Sequence, residues 1–264
     1  MPAIDPDLLL RGYAIGVFPM SDGRDARDVY WVEPKRRAIL PLDGFLLSRS
    51  LRKSLRSGRF TITRDRAFAG VVACCAERGE TWINPAIELS YADLHARGHA
   101  HSVEVWQDGV LVGGLYGVRL GGAFFGESMF STATDASKVA LAWLVARLRV
   151  GGFSLLDCQF MTDHLRSLGA VEISQAAYLE LLSAALDGLD GALSLPAARR
   201  GAAAGGDGVA GAGVSTLGRA PERGAAGSAP DFELLDALLE ADGVSGDAAA
   251  ESGWVISQLL TQTS

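Results

Sequence analysis

The chain has 264 residues, 48% hydrophobic and 21% charged, enough to bury one large core or two small ones and ordinary for a globular protein. No apolar run approaches the roughly 20 residues of a membrane-spanning helix, no basic lead precedes an apolar N-terminal segment, and Cys74, Cys75 and Cys158 make neither a disulfide framework nor a CxxC metal pair, so a reducing, cytoplasmic location is expected. The net charge of -7 is local: residues 231–264 hold seven acids and no Lys or Arg, leaving 24 acids against 24 bases in 1–230.

Residues 34–66 hold ten Lys or Arg and two acids, Asp43 and Asp65. That is the footprint expected for a polyanion such as nucleic acid, although a basic run is more often a solvated face. Within it, "LLSRSLRKSLRSG" puts Leu47, Leu51 and Leu55 on one helical face, with Arg49, Arg52, Lys53 and Arg56 opposite. "RDRAFAGVVACCAERG" reads as a helix with Phe68, Val71, Val72 and Cys75 inward. "NPAIELSYADLHARG" reads as another, opened by Pro85 and stopped near Gly98.

The period then changes to two. "HSVEVW", "VLVGGLYGVRL" and "AFFGESMF", joined by "QDG" and "GG", predict a three-stranded antiparallel meander. "TDASKVALAWLVARLRVGG" predicts a helix with polar start and glycine stop, followed by the strand "FSLLDCQF", the helix "TDHLRSLG", the strand "AVEIS" and the helix "QAAYLELLSAAL". The order implies an α+β (mixed α/β) fold with a largely antiparallel sheet. Residues 197–230 contain eleven Ala and nine Gly and read as a flexible linker. Beyond it, "DFELLDALLEADG" and "WVISQLL" suit a short docking helix or a partner-binding tail. The folded unit is expected to end near residue 190, so a chain stopped near 195 should fold and keep its activity.

Few chemistries suit the remaining polar residues. His99 and His101 lack a third nearby metal ligand. The glycines of "GGLYGVRLGG" sit in hairpin strands with no GK[ST], and Ser128 lacks the G-x-S-x-G spacing. Three features stand out. Asp157 and Gln159 end an apolar strand two residues apart, so they face the same side. Trp82 stands between two helices as a structural residue or a stacking platform. Glu127 sits among Phe124, Phe125, Met129 and Phe130, where a carboxylate must be paired, wet or used.

In order, "GYAIGVFPM", "ETWINPAIELSYADLHARGHAHSVEVWQDGVLVGGLYG", "FFGESMFS", "DASKVAL" and "LLDCQFMTDHLRSLGAVEI" resemble leucyl/phenylalanyl-tRNA–protein transferases over about residues 8–183. The resemblance implies transfer of Leu or Phe from charged tRNA to the N-terminal Arg or Lys of proteins, tagging them for degradation in an N-degron pathway. It implies no metal and no cofactor. It also implies two parts, a small N-terminal one with the basic helix (1–66) and a larger acetyltransferase-like (GNAT-like) domain (67–190). The linker (191–230) and acidic tail (231–264) follow.

By the same resemblance, Asp157 and Gln159 are the catalytic pair, Asp157 polarising Gln159 and Gln159 drawing on the incoming amine. Glu127 sits at the rim of an apolar pocket and orients the donor's ammonium group or ribose. Leu115, Phe124, Met129, Leu144 and Leu148 line that pocket. Trp82 stacks on the terminal adenine, and Arg49, Arg52, Lys53 and Arg56 take tRNA phosphates. Where the family has tryptophan after "FP" this chain has Met20, with Trp31 the candidate to replace it. Two alternatives remain open: an acyl-CoA-dependent N-acyltransferase, which would want a glycine-rich pyrophosphate loop, and an inactive tRNA- or degron-binding module.

Overall fold

A computed structural model of the protein describes residues 3–187, 229–241 and 249–261. The chain opens with α1 (Pro6–Ala14), capped by the Asp5 carboxylate, which accepts from the Leu8 N–H at 2.9 Å, and started by Pro6. A two-stranded ribbon follows, β1 (Phe18–Met20) against β2 (Tyr30–Val32). Then come β3 (Arg36–Ile39), α2 (Arg49–Arg56), β4 (Thr61–Arg64), α3 (Phe68–Ala76) and α4 (Pro85–Ala96). Asn84 caps α4 through the Ile87 N–H.

The predicted meander is β5 (Ala100–Gln107), β6 (Val110–Leu120) and β7 (Ala123–Ser131). Asp108 and Gly109, at φ 52° and 77°, make its first turn, the geometry a tight hairpin demands. After it come α5 (Ala136–Val150), β8 (Leu155–Gln159), α6 (Asp163–Ser167), β9 (Val171–Ser174), α7 (Gln175–Leu186), α8 (Leu234–Ala241) and α9 (Ala249–Leu259). The seven-stranded sheet runs β4-β5-β6-β7-β8-β3-β9, and only the β7–β8 pair is parallel. The expected α+β class with a largely antiparallel sheet is therefore found. Among the described residues no helix is long and apolar enough to cross a membrane.

Each face of the sheet buries its own apolar cluster. On one face α5 covers Val103, Leu115, Phe124 and Leu156. On the other, residues of α1, α3, α4 and α7 cover Tyr116, Val118, Phe125 and Leu155. Helix α5 is buried at eleven of its fifteen positions, so a second layer must lie over its outer side.

That layer is the tail, and here the structure departs from the expected end near residue 190. Phe232, Leu235, Leu239, Ile256 and Leu260 are buried in the same cluster as α5. Asp236 accepts from Arg147 at 2.5 Å and from Arg64 at 2.8 Å. A Cβ added at Gly253 would lie 1.9 Å from the Leu55 carbonyl oxygen, so α9 meets α2 at a distance only glycine permits. Asp236 is thus an ion-pair partner of the folded body as well as part of the tail's acidic charge.

The expected division at residue 66 also cuts through the sheet, since β3 and β4 lie on the N-terminal side of it. Of the expected linker, only residues 229 and 230 fall among the described residues. Elements α1 and β1–β4 escaped the sequence reading, the strands because three or four residues are too few to display a period.

Removing the tail takes away five buried apolar side chains, each stabilising by about 1.5–3 kcal/mol when fully buried, and uncovers the outer side of α5. A chain stopped at residue 195 is therefore expected to melt about 5 °C or more below the full chain in calorimetry. An unchanged Tm would mean that the tail contributes no net stability.

Candidate active site

The site begins where the sheet opens. Ala123–Phe125 pair in parallel with Leu155–Asp157, after which β7 runs on to Ser131 and β8 ends at Gln159. The two strands thus share a short junction and then part. Ligands of α/β sheets gather at such carboxyl ends of parallel strands.

A bulge in β7 aims the residues there. Gly126 faces Gly117 while Ser128 faces Tyr116, which leaves Glu127 as the extra residue. The bulge shifts the alternation, so that Phe125 and Phe130 belong to one cluster and Phe124 and Met129 to the other. Glu127 turns to the Phe125 side, where the Tyr13 hydroxyl donates to its Oε1 at 2.7 Å and the Tyr91 hydroxyl to its Oε2 at 2.7 Å. Gln159 Nε2 donates to Oε1 at 2.9 Å.

The two phenols also meet each other at 2.7 Å. Three short O···O contacts share only two phenol protons, so all three can be hydrogen bonds only when Glu127 itself carries a proton. Its pKa points the same way. Burial pushes the carboxyl up to about 7, with a further push from the Asp157 charge, although the Tyr13, Tyr91 and Gln159 donors pull it down.

Asp157 lives differently. Its carboxylate takes the Arg37 fork, Nε at 2.9 and 3.0 Å and one terminal nitrogen at 2.5 Å, and the Tyr178 hydroxyl at 2.9 Å. Its last partner is the backbone N–H of Gln159 at 2.8 Å. Arg37 and Asp157 are 1% and 0% exposed, and the guanidinium lies 4.6 Å from both the Phe18 and Tyr178 rings. Gln159 adopts φ 62°, a strained backbone for a residue with a side chain, and its N–H is held by Asp157.

The expected relay from Asp157 to the Gln159 side chain is thus corrected. Asp157 is saturated by Arg37 and Tyr178 and grips only the Gln159 backbone, while the Gln159 amide is held by Glu127. Glu127 is likewise buried among its donors (7% exposed) and not poised on an open rim.

The other expected residues fall into separate groups. Leu115, Phe124, Leu144 and Leu148 are buried with α5, and Met129 packs against them. They approach the strand opening from the face opposite Glu127. Trp82 is half-buried, and its carbonyl accepts from the Ser21 N–H at 3.2 Å and hydroxyl at 2.8 Å, which ties it to the chain just after Met20. Trp31 lies across α1 at Gly12.

On α2, Arg49 and Lys53 are exposed and Arg52 is half-buried. Arg56 donates to Ser257 at 2.7 Å and lies over the Trp254 ring, so part of the basic face is held by α9. A cavity of about 230 Å3 between β4, β5, α5 and the tail contains none of the residues expected at the site. The buried acid cluster is the better guide to chemistry, because it sets a carboxyl raised by burial at a strand opening. The sequence reading missed Tyr13, Arg37, Tyr91 and Tyr178. The first and third stood inside the quoted motifs, and Arg37 was one undistinguished member of the basic run.

Two measurements follow from this geometry. Asp157→Asn leaves a buried Arg37 charge unpaired and should cost about 3–5 kcal/mol in denaturant unfolding. Adding Arg37→Met should recover much of that, and a double mutant as costly as the sum of the singles would contradict the pairing. The second concerns pH. Glu127 binds its proton more tightly folded than unfolded, so its stabilising contribution is full below about pH 4.5 and is lost as pH rises through about 7. Between those values wild type should lose about 3 kcal/mol relative to Glu127→Gln, and parallel stability profiles would contradict the raised pKa.

Comparison with known proteins agrees with the resemblance. The family profile described as leucyl/phenylalanyl-tRNA protein transferase matches residues 39–183, and its N-terminal domain profile matches residues 3–35. The chain is 61% identical over 268 residues to a leucyl/phenylalanyl-tRNA–protein transferase of Rhizorhabdus wittichii, covering 100% of both chains. It is 53% identical to that of Novosphingobium aromaticivorans, over 99% of this chain and 97% of the relative. Against that of Ruegeria pomeroyi it is 60% identical over 70% of this chain and 89% of the relative. The chain belongs to the leucyl/phenylalanyl-tRNA–protein transferase family of aminoacyltransferases.

Proposed function

We propose that this enzyme moves Leu or Phe from its charged tRNA to the N-terminal Arg or Lys of acceptor proteins, marking them for degradation in the cytoplasm, where charged tRNA is made. The observation that carries the reading is the Asp157–Gln159–Glu127 cluster at the β7/β8 opening. An aminoacyl ester is already activated, so catalysis consists mainly of holding its carbonyl against the acceptor amine. A free α-amino group has a pKa of about 7.7–8.0 and is roughly a tenth neutral at pH 7, so no strong base is required.

In this reading Asp157 is a positioning residue, fixing the Gln159 backbone through the bond at 2.8 Å. The Gln159 amide donates to Glu127 and keeps its carbonyl oxygen as the acceptor for the incoming amine. Glu127, titrating near neutrality, can take up a proton close to the reacting centre. When ionised, Glu127 also favours a cationic N-terminal residue. Leu115, Phe124, Met129, Leu144 and Leu148 receive the donor side chain, and an apolar pocket of this kind discriminates by about 1–3 kcal/mol per methylene. Trp82 stacks on the terminal adenine with Met20 or Trp31 as its second side, and Arg49 and Lys53, with Arg52 and Arg56, meet tRNA phosphates.

The test supplies leucyl- or phenylalanyl-tRNA with peptides beginning with Arg, Lys or Ala and reads the products by mass spectrometry. Addition to the Arg and Lys peptides only is expected. Gln159→Ala should lower turnover by about 10²-fold or more, since misorientation alone costs that much. Transfer from acetyl-CoA in place of charged tRNA, or none from either donor, would overturn the reading in favour of an acyl-CoA enzyme or a binding module.

A further inference from the structure

Of the tail's buried side chains, Phe232 is the one that stacks on Phe124. Phe232 is 0% exposed. Its ring stacks on His101 at 4.4 Å and 28°, stacks on Phe124 at 5.3 Å and 7°, and meets Phe153 edge-on at 6.1 Å. The Arg147 guanidinium closes the seat from 5.2 Å. The backbone is fastened on both sides of the ring. The Asp231 N–H donates to the Gly151 carbonyl at 2.9 Å, and the Phe232 carbonyl accepts from Arg147 at 2.7 Å. A Cβ on Gly151 would sit 2.1 Å from the Asp231 carbonyl oxygen, so the turn after α5 is shaped for this contact.

Phe124, the ring against which Phe232 lies, is no ordinary core residue. It stands on β7 three positions before Glu127, and its register partner is Leu156, the neighbour of Asp157. It also shares one apolar cluster with Leu115, Leu144 and Leu148. A side chain from the far end of the chain therefore backs a ring at the β7–β8 junction.

We propose that Phe232 is a specificity-determining residue for the donor side chain, setting the depth of the apolar pocket by fixing how far Phe124 can recede. The inference rests on the reading in which Phe124 lines that pocket. A buried ring next to lost volume relaxes partly into the space, and one methylene of depth changes selectivity between apolar substrates by about 10-fold or more. A smaller residue at 232 lets Phe124 retreat and favours the longer phenylalanyl group. A larger one pushes Phe124 forward and favours leucyl. Asp236, clamping Arg147 and Arg64, holds the tail at the depth this requires.

The experiment mixes equimolar leucyl- and phenylalanyl-tRNA with an Arg-initiated peptide and measures the Phe:Leu product ratio. Phe232→Leu should raise the ratio by about 3–10-fold, and Phe232→Trp should lower it. Leu260→Ala, which loosens α9 away from Phe124, should lower Tm and leave the ratio at the wild-type value. A merely structural role for Phe232 would lower Tm in all three and move the ratio in none. If wild type transfers both residues but the two Phe232 variants keep its ratio, or shift it in one direction, the inference falls and the function stands. If wild type transfers neither, the function itself falls. Should only the leucine variant fold, its ratio alone decides the matter.

Discussion

Arg37 and Asp157 form an ion pair almost wholly removed from water, and much of the molecule is arranged around satisfying it. A buried pair is tolerable only if every remaining donor and acceptor finds a partner. Arg37 comes from β3 and gives its other terminal nitrogen to the Gly16 carbonyl after α1. Phe18 and Tyr178 flank its guanidinium, and the Tyr178 hydroxyl returns to Asp157. The α1–β1 turn, β3, β8 and α7 are thereby tied at one point. The last free capacity of Asp157 goes to the Gln159 N–H, which fixes the backbone where β7 and β8 part. Packing and site are consequences of the same bonds.

The two carboxyls in this layer sit in different surroundings. Asp157 is paired with the Arg37 guanidinium. Glu127 meets only neutral donors, and burial raises its carboxyl to about 7. A carboxyl raised in this way beside a fixed ion pair suits a site that must both hold groups in place and move protons. Here the division suits an acceptor amine that has to lose a proton while its side chain and the donor stay in register.

Much of this was legible in the sequence. The meander and α5 declared themselves by period, and Glu127, Asp157 and Gln159 by polar groups set in apolar strands. What was not legible was mostly long-range. Tyr13 and Tyr91 reach Glu127 across 114 and 36 residues, and no local pattern links them. Arg37 sat in a basic run that read as a solvated face, yet it is among the largest fully buried side chains. The bulge at Glu127 was hidden because strict alternation assigns Phe125 and Phe130 to opposite faces. One sign was available: between Lys138 and Arg147 α5 is apolar on all sides, and such a helix needs a cover, which the Phe232 segment and α8 and α9 provide.

The central claim is that donor and acceptor meet at the β7/β8 opening, with the Gln159 amide as the contact for the reacting groups. A crystal structure with a non-hydrolysable phenylalanyl-adenosine analogue tests it most directly. The account predicts the phenyl ring among Leu115, Phe124 and Met129, with the carbonyl carbon within about 3.5 Å of the point an amine bonded to Gln159 would occupy. An analogue bound away from that opening, for example in the cavity between β4, β5 and the tail, would contradict it.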